Sequence, residues 1–408
     1  MKSDIPRLME ERGIDALIIE GPDGTHGANP AFAYFTRNQH LVGTVIVKRD
    51  EEPVLLYRSM ERDNAEATHL KLVNLDRWPL HEILKEHPDR LEARVELYKR
   101  IFHDLKVRGR VAFYGTGPIG TFYAFLNKLA HEIPEIEVVG EFDRDVIAVA
   151  RETKDSQEIE RMRRVGEQTC AVVEAAVAFL RSHPVRDDKL AKDDGSPLTV
   201  GDVKRFVRLE LARRGLEASD FIFAIGRDAG VPHSTGNPGD PLELGKTIVF
   251  DLFPRDASGY YHDVTRTFCL GYAPPEVERA YQDVREAFEA VCEKFLVGGI
   301  TQTYQHFVCK FFEKRGHPTV LGDPKTTQGY VHSLGHGLGL EVHEEPYFPT
   351  FGECKTQLRE GMVFTVEPGL YYPEAGYGIR IEDTYYCDES GEFRSLTPLP
   401  KELVIPVG

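Results

Sequence analysis

Short apolar runs separated by amphipathic segments pattern the first third of the chain. Residues 16–19, 43–47, 54–57, 110–114 and 136–139 are compact and rich in Val, Ile, Leu and aromatics, and they predict strands with helical periodicity between several of them. This describes an α/β domain on a mixed sheet. It holds no G-x-x-x-x-G-K-[ST]. His26, Arg37 and His40 stand alone in predicted loops or at strand edges and read as structural or solvated.

The pattern changes near residue 150, which sets expected domains of 1–150 and 151–408. Asp155-Ser156-Gln157-Glu158 has the form of a capping box, and Ile159, Met162, Val165, Cys170, Val173 and Ala176 continue it as an apolar helical stripe. The charged, proline-containing stretch 183–197 reads as a solvated loop. Thr199 and Asp202 cap a second helix over 203–214, closed by Gly215. Pro274-Pro275 opens a third that runs to about 296, and a fourth spans 304–315, ahead of Gly316.

Two stretches have the pattern strand, acid, turn, strand, acid. In the first, the apolar run 247–253 carries Asp251, and Asp263 faces it across a turn at the start of 262–268. In the second, Glu367 ends the run 362–367, and Glu382 lies in 378–384 after a tyrosine-rich turn. An unpaired carboxylate in an apolar strand costs several kcal/mol or protonates. Four of them at mirrored positions read as an internal duplication that brings the acids to one place. Between the two stretches lies 330–344, where His332, His336 and His343 are separated by Gly335, Gly337 and Gly339. The glycines argue against a regular helix and allow the backbone to pass close to a ligand.

Composition narrows the partners. The 408 residues exceed what one core usually fills. A formal net charge of -16 disfavours nucleic acid and anionic membranes. No apolar run approaches the roughly 20 residues of a membrane span, and the first dozen residues lack a signal-peptide core. Six cysteines without a C-x-x-C pair suit buried thiols in a reducing cytoplasm.

Four clustered carboxylates repel unless cations neutralise them. Two divalent ions, bridged by carboxylates about 3.5–4 Å apart, would do so. Asp251, Asp263, Glu367 and Glu382 with His336 form a mixed oxygen and nitrogen set suited to manganese first, with cobalt, zinc or iron as alternatives. Strand alternation puts Thr265 on the face of Asp263, and Arg380 on the face of Glu382, within reach to orient ligating oxygens.

These motifs carry a family resemblance. Asp251, Asp263 in D-V-T-R-T, His336 in H-S-L-G-H-G-L-G, Glu367 in V-E-P-G and Glu382 in R-I-E-D-T make residues 151 to about 406 resemble the creatinase/methionine-aminopeptidase superfamily, with its pita-bread fold. The two-domain arrangement resembles the Xaa-Pro aminopeptidase and prolidase branch. The resemblance implies an α+β protein: a pita-bread catalytic domain behind a smaller, creatinase-like α/β domain. It also implies that His233 and His343 line the substrate site, with His332 a further pocket residue and Glu367 a proton shuttle. One departure is that eleven residues separate Asp251 from Asp263 where the family usually has ten, and Asp-Leu-Phe replaces the common Asp-x-Gly beside Phe253.

The expected activity is hydrolysis of the bond between an N-terminal residue and proline in a di- or oligopeptide, by a homodimer of the kind common in the family. Metal-dependent C–N hydrolysis of a small molecule, as in ectoine-type hydrolases, or C–S lysis are alternatives on the same fold. A binding protein that had lost the chemistry typically lacks ligands, and none is missing here.

Overall fold

The computed structural model describes residues 2–22, 29–142 and 144–408, which leaves His26 outside the description. The chain forms two compact units, Met1–Arg151 and Glu152–Gly408.

The first unit is built on six strands, β1 (Ala16–Glu20), β2 (Gly43–Lys48), β3 (Val54–Tyr57), β4 (Lys71–Asn74), β5 (Gly109–Tyr114) and β6 (Ile136–Val139), in the order β4-β3-β2-β1-β5-β6. β1 is antiparallel to β2 and parallel to β5, so the sheet is mixed. β4 escapes sequence reading because Lys71-Leu72-Val73-Asn74 is a half-exposed edge with no continuous apolar run. Phe102 of the Arg90–Leu105 helix, with Phe125 and Leu129 of the Ile119–Glu132 helix, packs on Ile18 and Val111. Arg37 adopts φ 56° to end the Pro30–Thr36 helix, and both it and His40 are exposed.

In the second unit the Ser156–Arg181 helix begins at a complete capping box, Asp155 accepting from the Gln157 and Glu158 amides while Glu158 accepts from the Asp155 amide. The stretch expected to be a solvated loop instead contains the hairpin β7 (Val185–Arg186) and β8 (Lys189–Leu190), and Leu190 and Ala191 are buried. Two buried apolar side chains among seven charged residues are enough to pin it, although they leave no periodic signal. The next helix, Val200–Arg213, starts three residues earlier than expected because Thr199 itself is the N-cap, paired with Asp202 in a second box. The later helices span Pro275–Cys292 and Thr301–Glu313.

Each pair of helices backs one sheet. β9 (Ile222–Ile225), β10 (Thr247–Leu252) and β11 (Val264–Leu270) pack on the Ser156–Arg181 and Val200–Arg213 helices, and they complete a four-stranded sheet with β19 (Val404–Ile405). β12 (His336–Gly337), β13 (Glu344–Tyr347), β14 (Val363–Val366), β17 (Asp383–Cys387) and β18 (Phe393–Ser395) form the second sheet, and Phe364 and Val366 pack with Val284, Phe288, Val308 and Phe312 of the other two helices. Sheet plus two helices therefore occurs twice.

The expected hairpins differ in path. The first is continuous, but Asp251 lies opposite Thr265, not Asp263. The two acids share a face two residues apart along the ladder. The second is broken: β15 (Gly369–Tyr372) leaves β14 after Glu367-Pro368 and pairs with β16 (Tyr377–Arg380), which returns through Ile381-Glu382 to β17. The proline at 368 cannot donate to a ladder, and the break leaves Glu367 and Glu382 free of regular pairing.

Candidate metal centre

Where the two halves meet, Glu382 bridges to Thr265, its amide donating to the Thr265 carbonyl at 3.1 Å. Thr267 and Arg380 exchange a second pair of bonds at 2.9 and 3.0 Å. Arg266 fastens the junction from behind. Its guanidinium is fully buried and donates to Asp383 and to the carbonyls of Thr265, Glu382, Leu399 and Pro400. The Arg of D-V-T-R-T and the second acid of R-I-E-D-T are thus partners, on the strand faces opposite the cavity.

On the front side a cavity of about 630 Å³ is lined by all of the acids and histidines expected from the sequence: Asp251, Asp263, Glu367, Glu382, His233, His332, His336 and His343, together with Arg380. Asp263, His336 and Glu382 each offer a ligand atom within 4.8 Å of the others. Glu367 Oε1 is 3.5 Å from His336 Nε2. Asp251 stands across the site, ion-paired to Arg380 Nη2.

The protonation states fit a cation. Burial raises the Asp263 carboxyl well above the carboxylate range, and the charges of Glu382, Asp251 and Glu367 raise it further. Glu382 is raised likewise by burial and then by Glu367 and Asp251. Burial takes Glu367 up to about 8 against the pull of Arg380. Such acids ionise together only beside compensating positive charge. Among the described residues Asp251 Oδ1 and Asp263 Oδ1 are buried with no hydrogen-bond partner, as expected of oxygens that a metal would take up. His336 Nδ1 lies 3.1 Å from the Gly337 carbonyl, so the proton belongs on Nδ1 and the Nε2 lone pair faces the acids. Burial keeps the ring neutral, with a pKa lowered to about 3.

Arg380 is placed differently from expectation. It does not hold Glu382; Thr265 does, its hydroxyl donating to Glu382 Oε2 at 2.6 Å. Arg380 reaches Asp251, and its Nε donates to Thr265 Oγ1 at 3.0 Å. Arg380 Nη1 donates to the Tyr371 hydroxyl at 2.8 Å, and that hydroxyl donates to His332 Nε2 at 2.9 Å. His332 Nδ1 in turn donates to the Ser333 carbonyl at 2.7 Å. Both His332 nitrogens are therefore engaged, and the ring is braced rather than free to reach a metal. Tyr371 is the one member of this chain of bonds that sequence reading missed, because a tyrosine-rich turn gives no reason to single it out.

The His343 ring is tilted 58° to that of His336 with centroids 4.2 Å apart, and partial desolvation lowers its pKa. His233 lies exposed at the cavity after β9. Phe253 also lines the cavity, and at the tip of the first turn Arg255 bridges Tyr261 while the Asp256 carboxylate accepts from the Ser258 amide.

A duplicated sheet-and-helix frame with a buried acid and imidazole cluster at its junction defines a divalent-metal hydrolase. Residues 160–389 match metallopeptidase family M24, and the chain belongs to that family. The chain is 27% identical to the Xaa-Pro dipeptidase of Pyrococcus furiosus over 98% of its own length and 97% of that protein's. It is 33% identical to the putative dipeptidase YkvY of Bacillus subtilis over 62% of each chain. Among solved structures, the X-Pro aminopeptidase of Thermotoga maritima superposes with a TM-score of 0.76 at 23% identity, covering 98% of this chain and 100% of that one. The two-part fold expected from the motifs is thereby borne out.

Proposed function

We propose that the chain hydrolyses the bond between an N-terminal residue and proline, with Asp251, Asp263, His336, Glu367 and Glu382 holding two divalent cations. The observation that carries this reading is the convergence of these five side chains in one cavity with three further imidazoles. The activity named for the full-length relative supports it. The cations, manganese first and cobalt, zinc or iron as alternatives, would supply a hydroxide at neutral pH and polarise the scissile carbonyl.

The rest is the work of side chains. Glu367 takes the proton of the attacking water and passes it to the leaving nitrogen. His233 and His343 donate to the carbonyl oxygen as it gains charge. Arg380 orients Asp251, and through Tyr371 it braces His332. Proline's nitrogen carries no N–H, so the substrate is gripped without that donor.

A cytoplasmic setting belongs to the same reading, supported by six free cysteines, and no helix among the described residues is long and apolar enough to cross a membrane. So does a homodimer, for which the exposed Ile119 and Tyr123, one turn apart on a helix, offer an apolar face. The net charge of -16 speaks against nucleic acid.

The test is to incubate Mn²⁺-loaded protein with Xaa-Pro dipeptides and Xaa-Pro-Yaa tripeptides and measure the released Pro or Pro-Yaa. Hydrolysis of at least one class is expected. Absence of both, with metal confirmed bound, refutes the reading.

A further inference from the structure

A buried charge pair stands behind the turn that carries His343. Lys154 Nζ donates to Glu344 Oε1 at 2.6 Å, and the two side chains are only 2% and 7% exposed. A pair so far from water adds little net stability over an apolar pair of the same volume. What it fixes is geometry.

The geometry in question is that of residues 338–343. β12 and β13 flank this turn, with Gly337 paired to Glu344. The Glu344 carboxylate folds over Gly339 so closely that a Cβ there would stand 2.3 Å from Oε1. On the far side the Tyr261 amide donates to the Gly339 carbonyl at 2.8 Å, tying the turn to the hairpin of Asp251 and Asp263. Lys154 is itself anchored, its amide donating to the Gly361 carbonyl at 2.7 Å, just ahead of β14. His343 is held far less firmly. It is exposed, and among the described residues no hydrogen bond holds its ring, which only rests against His336. Its place at the cavity is set by the backbone, and the next residue in that backbone is Glu344.

We propose that Lys154 and Glu344 are positioning residues that act through His343, holding its imidazole where the substrate carbonyl is bound. The kinetic arm of the test rests on the Xaa-Pro reading above. In the Mn²⁺-loaded full chain, Lys154→Met is expected to lower kcat/KM by about 100-fold, the scale of a misplacement near 1 Å, with metal stoichiometry unchanged. Lys154→Arg, which keeps the charge, restores most of it. In a His343→Ala background Lys154→Met then has no further effect beyond about twofold, because the residue it acts through is gone. Losses that multiply in the double variant overturn the proposal.

Should Lys154→Met not accumulate as folded protein, Gly339→Ala reaches the same pair from the other side and leaves both charges in place. The same non-additivity with His343→Ala is expected of it, and multiplied losses again overturn the idea. If the wild-type protein cleaves no Xaa-Pro peptide, the Xaa-Pro reading fails by itself. The positioning role is then decided by ¹⁵N-histidine NMR of the zinc-loaded protein, with the His343 signals assigned by their loss in His343→Ala. Those signals are expected to move in Lys154→Met, and unchanged signals refute the role.

Discussion

A single hydrogen bond separates the chemistry of His332 from that of His336. Each ring gives its Nδ1 proton to a neighbouring carbonyl. His332 Nε2 is then occupied by Tyr371, while His336 Nε2 is left facing Asp263 and Glu367, at 3.9 and 3.5 Å. Spacing in the sequence cannot tell such rings apart, since the partner that decides between them is 39 residues away from His332. The prediction at this scale is that Asp263→Asn and His336→Ala each lose bound metal and activity while far-UV circular dichroism stays unchanged. Full metal stoichiometry in either variant contradicts the ligand assignment. His332→Ala, by contrast, is expected to keep its metal.

The short strap β12 shows how an element with almost no regular structure positions a ligand. Gly335 and Gly337 pass so close to other backbone that a Cβ at either would meet a carbonyl oxygen at 2.0 Å, that of Thr365 for the first and Glu345 for the second. The His336 amide also donates to Thr365 Oγ1 at 3.1 Å. Gly337→Ala is therefore predicted to lose metal about as fully as His336→Ala although no ligand is touched, a loss readable from the metal content of the purified variant. Retention of metal would show that the strap can yield. Elements with local signals were legible in the sequence: the capping box at Asp155 is where the residue pattern placed it, and Thr199 caps the next helix, which starts three residues before the expected position. The second acid-bearing arm was less so. After the break at Glu367-Pro368 the partner changes, β14 pairing with β17 and β15 with β16, and strand periodicity carries no record of which strand pairs with which.

At the scale of the molecule, the acid cluster couples metal to stability. Without cations the native state holds protons on Asp263, Glu367 and Glu382 that the unfolded chain gives up near pH 4. Stability then falls as pH rises from that value toward the raised native pKa. The buried neutral rings of His262, His332 and His336 act oppositely. Their pKa values are lowered to about 3, so they take stability away as pH falls below about 6.5. Between about pH 6.5 and 8 only the acid contribution remains, at about 1.4 kcal/mol per pH unit for each group still titrating. Chelated protein should thus show a lower urea midpoint at pH 8 than at pH 6.5, and restored divalent metal should raise the midpoint more at pH 8. A midpoint independent of pH in the chelated protein would contradict this account of the cluster.

The sequence by itself determined the pieces: a mixed α/β unit followed by helices with defined starts, and four acids with a glycine-flanked histidine whose burial calls for cations. Those are local properties, written in periodicity, capping residues and the cost of an apolar strand that carries a charge. Only the tertiary structure decided the partnerships. It set Arg380 on Asp251 and Thr265 on Glu382, buried Arg266 against Asp383, joined Tyr371 to His332 and placed Lys154 behind the His343 turn. Each of these, apart from the Tyr371 bonds, joins residues more than a hundred positions apart. Which side chain meets which depends on how two sheets pack, because strand alternation fixes the face of a residue but not what lies across from it.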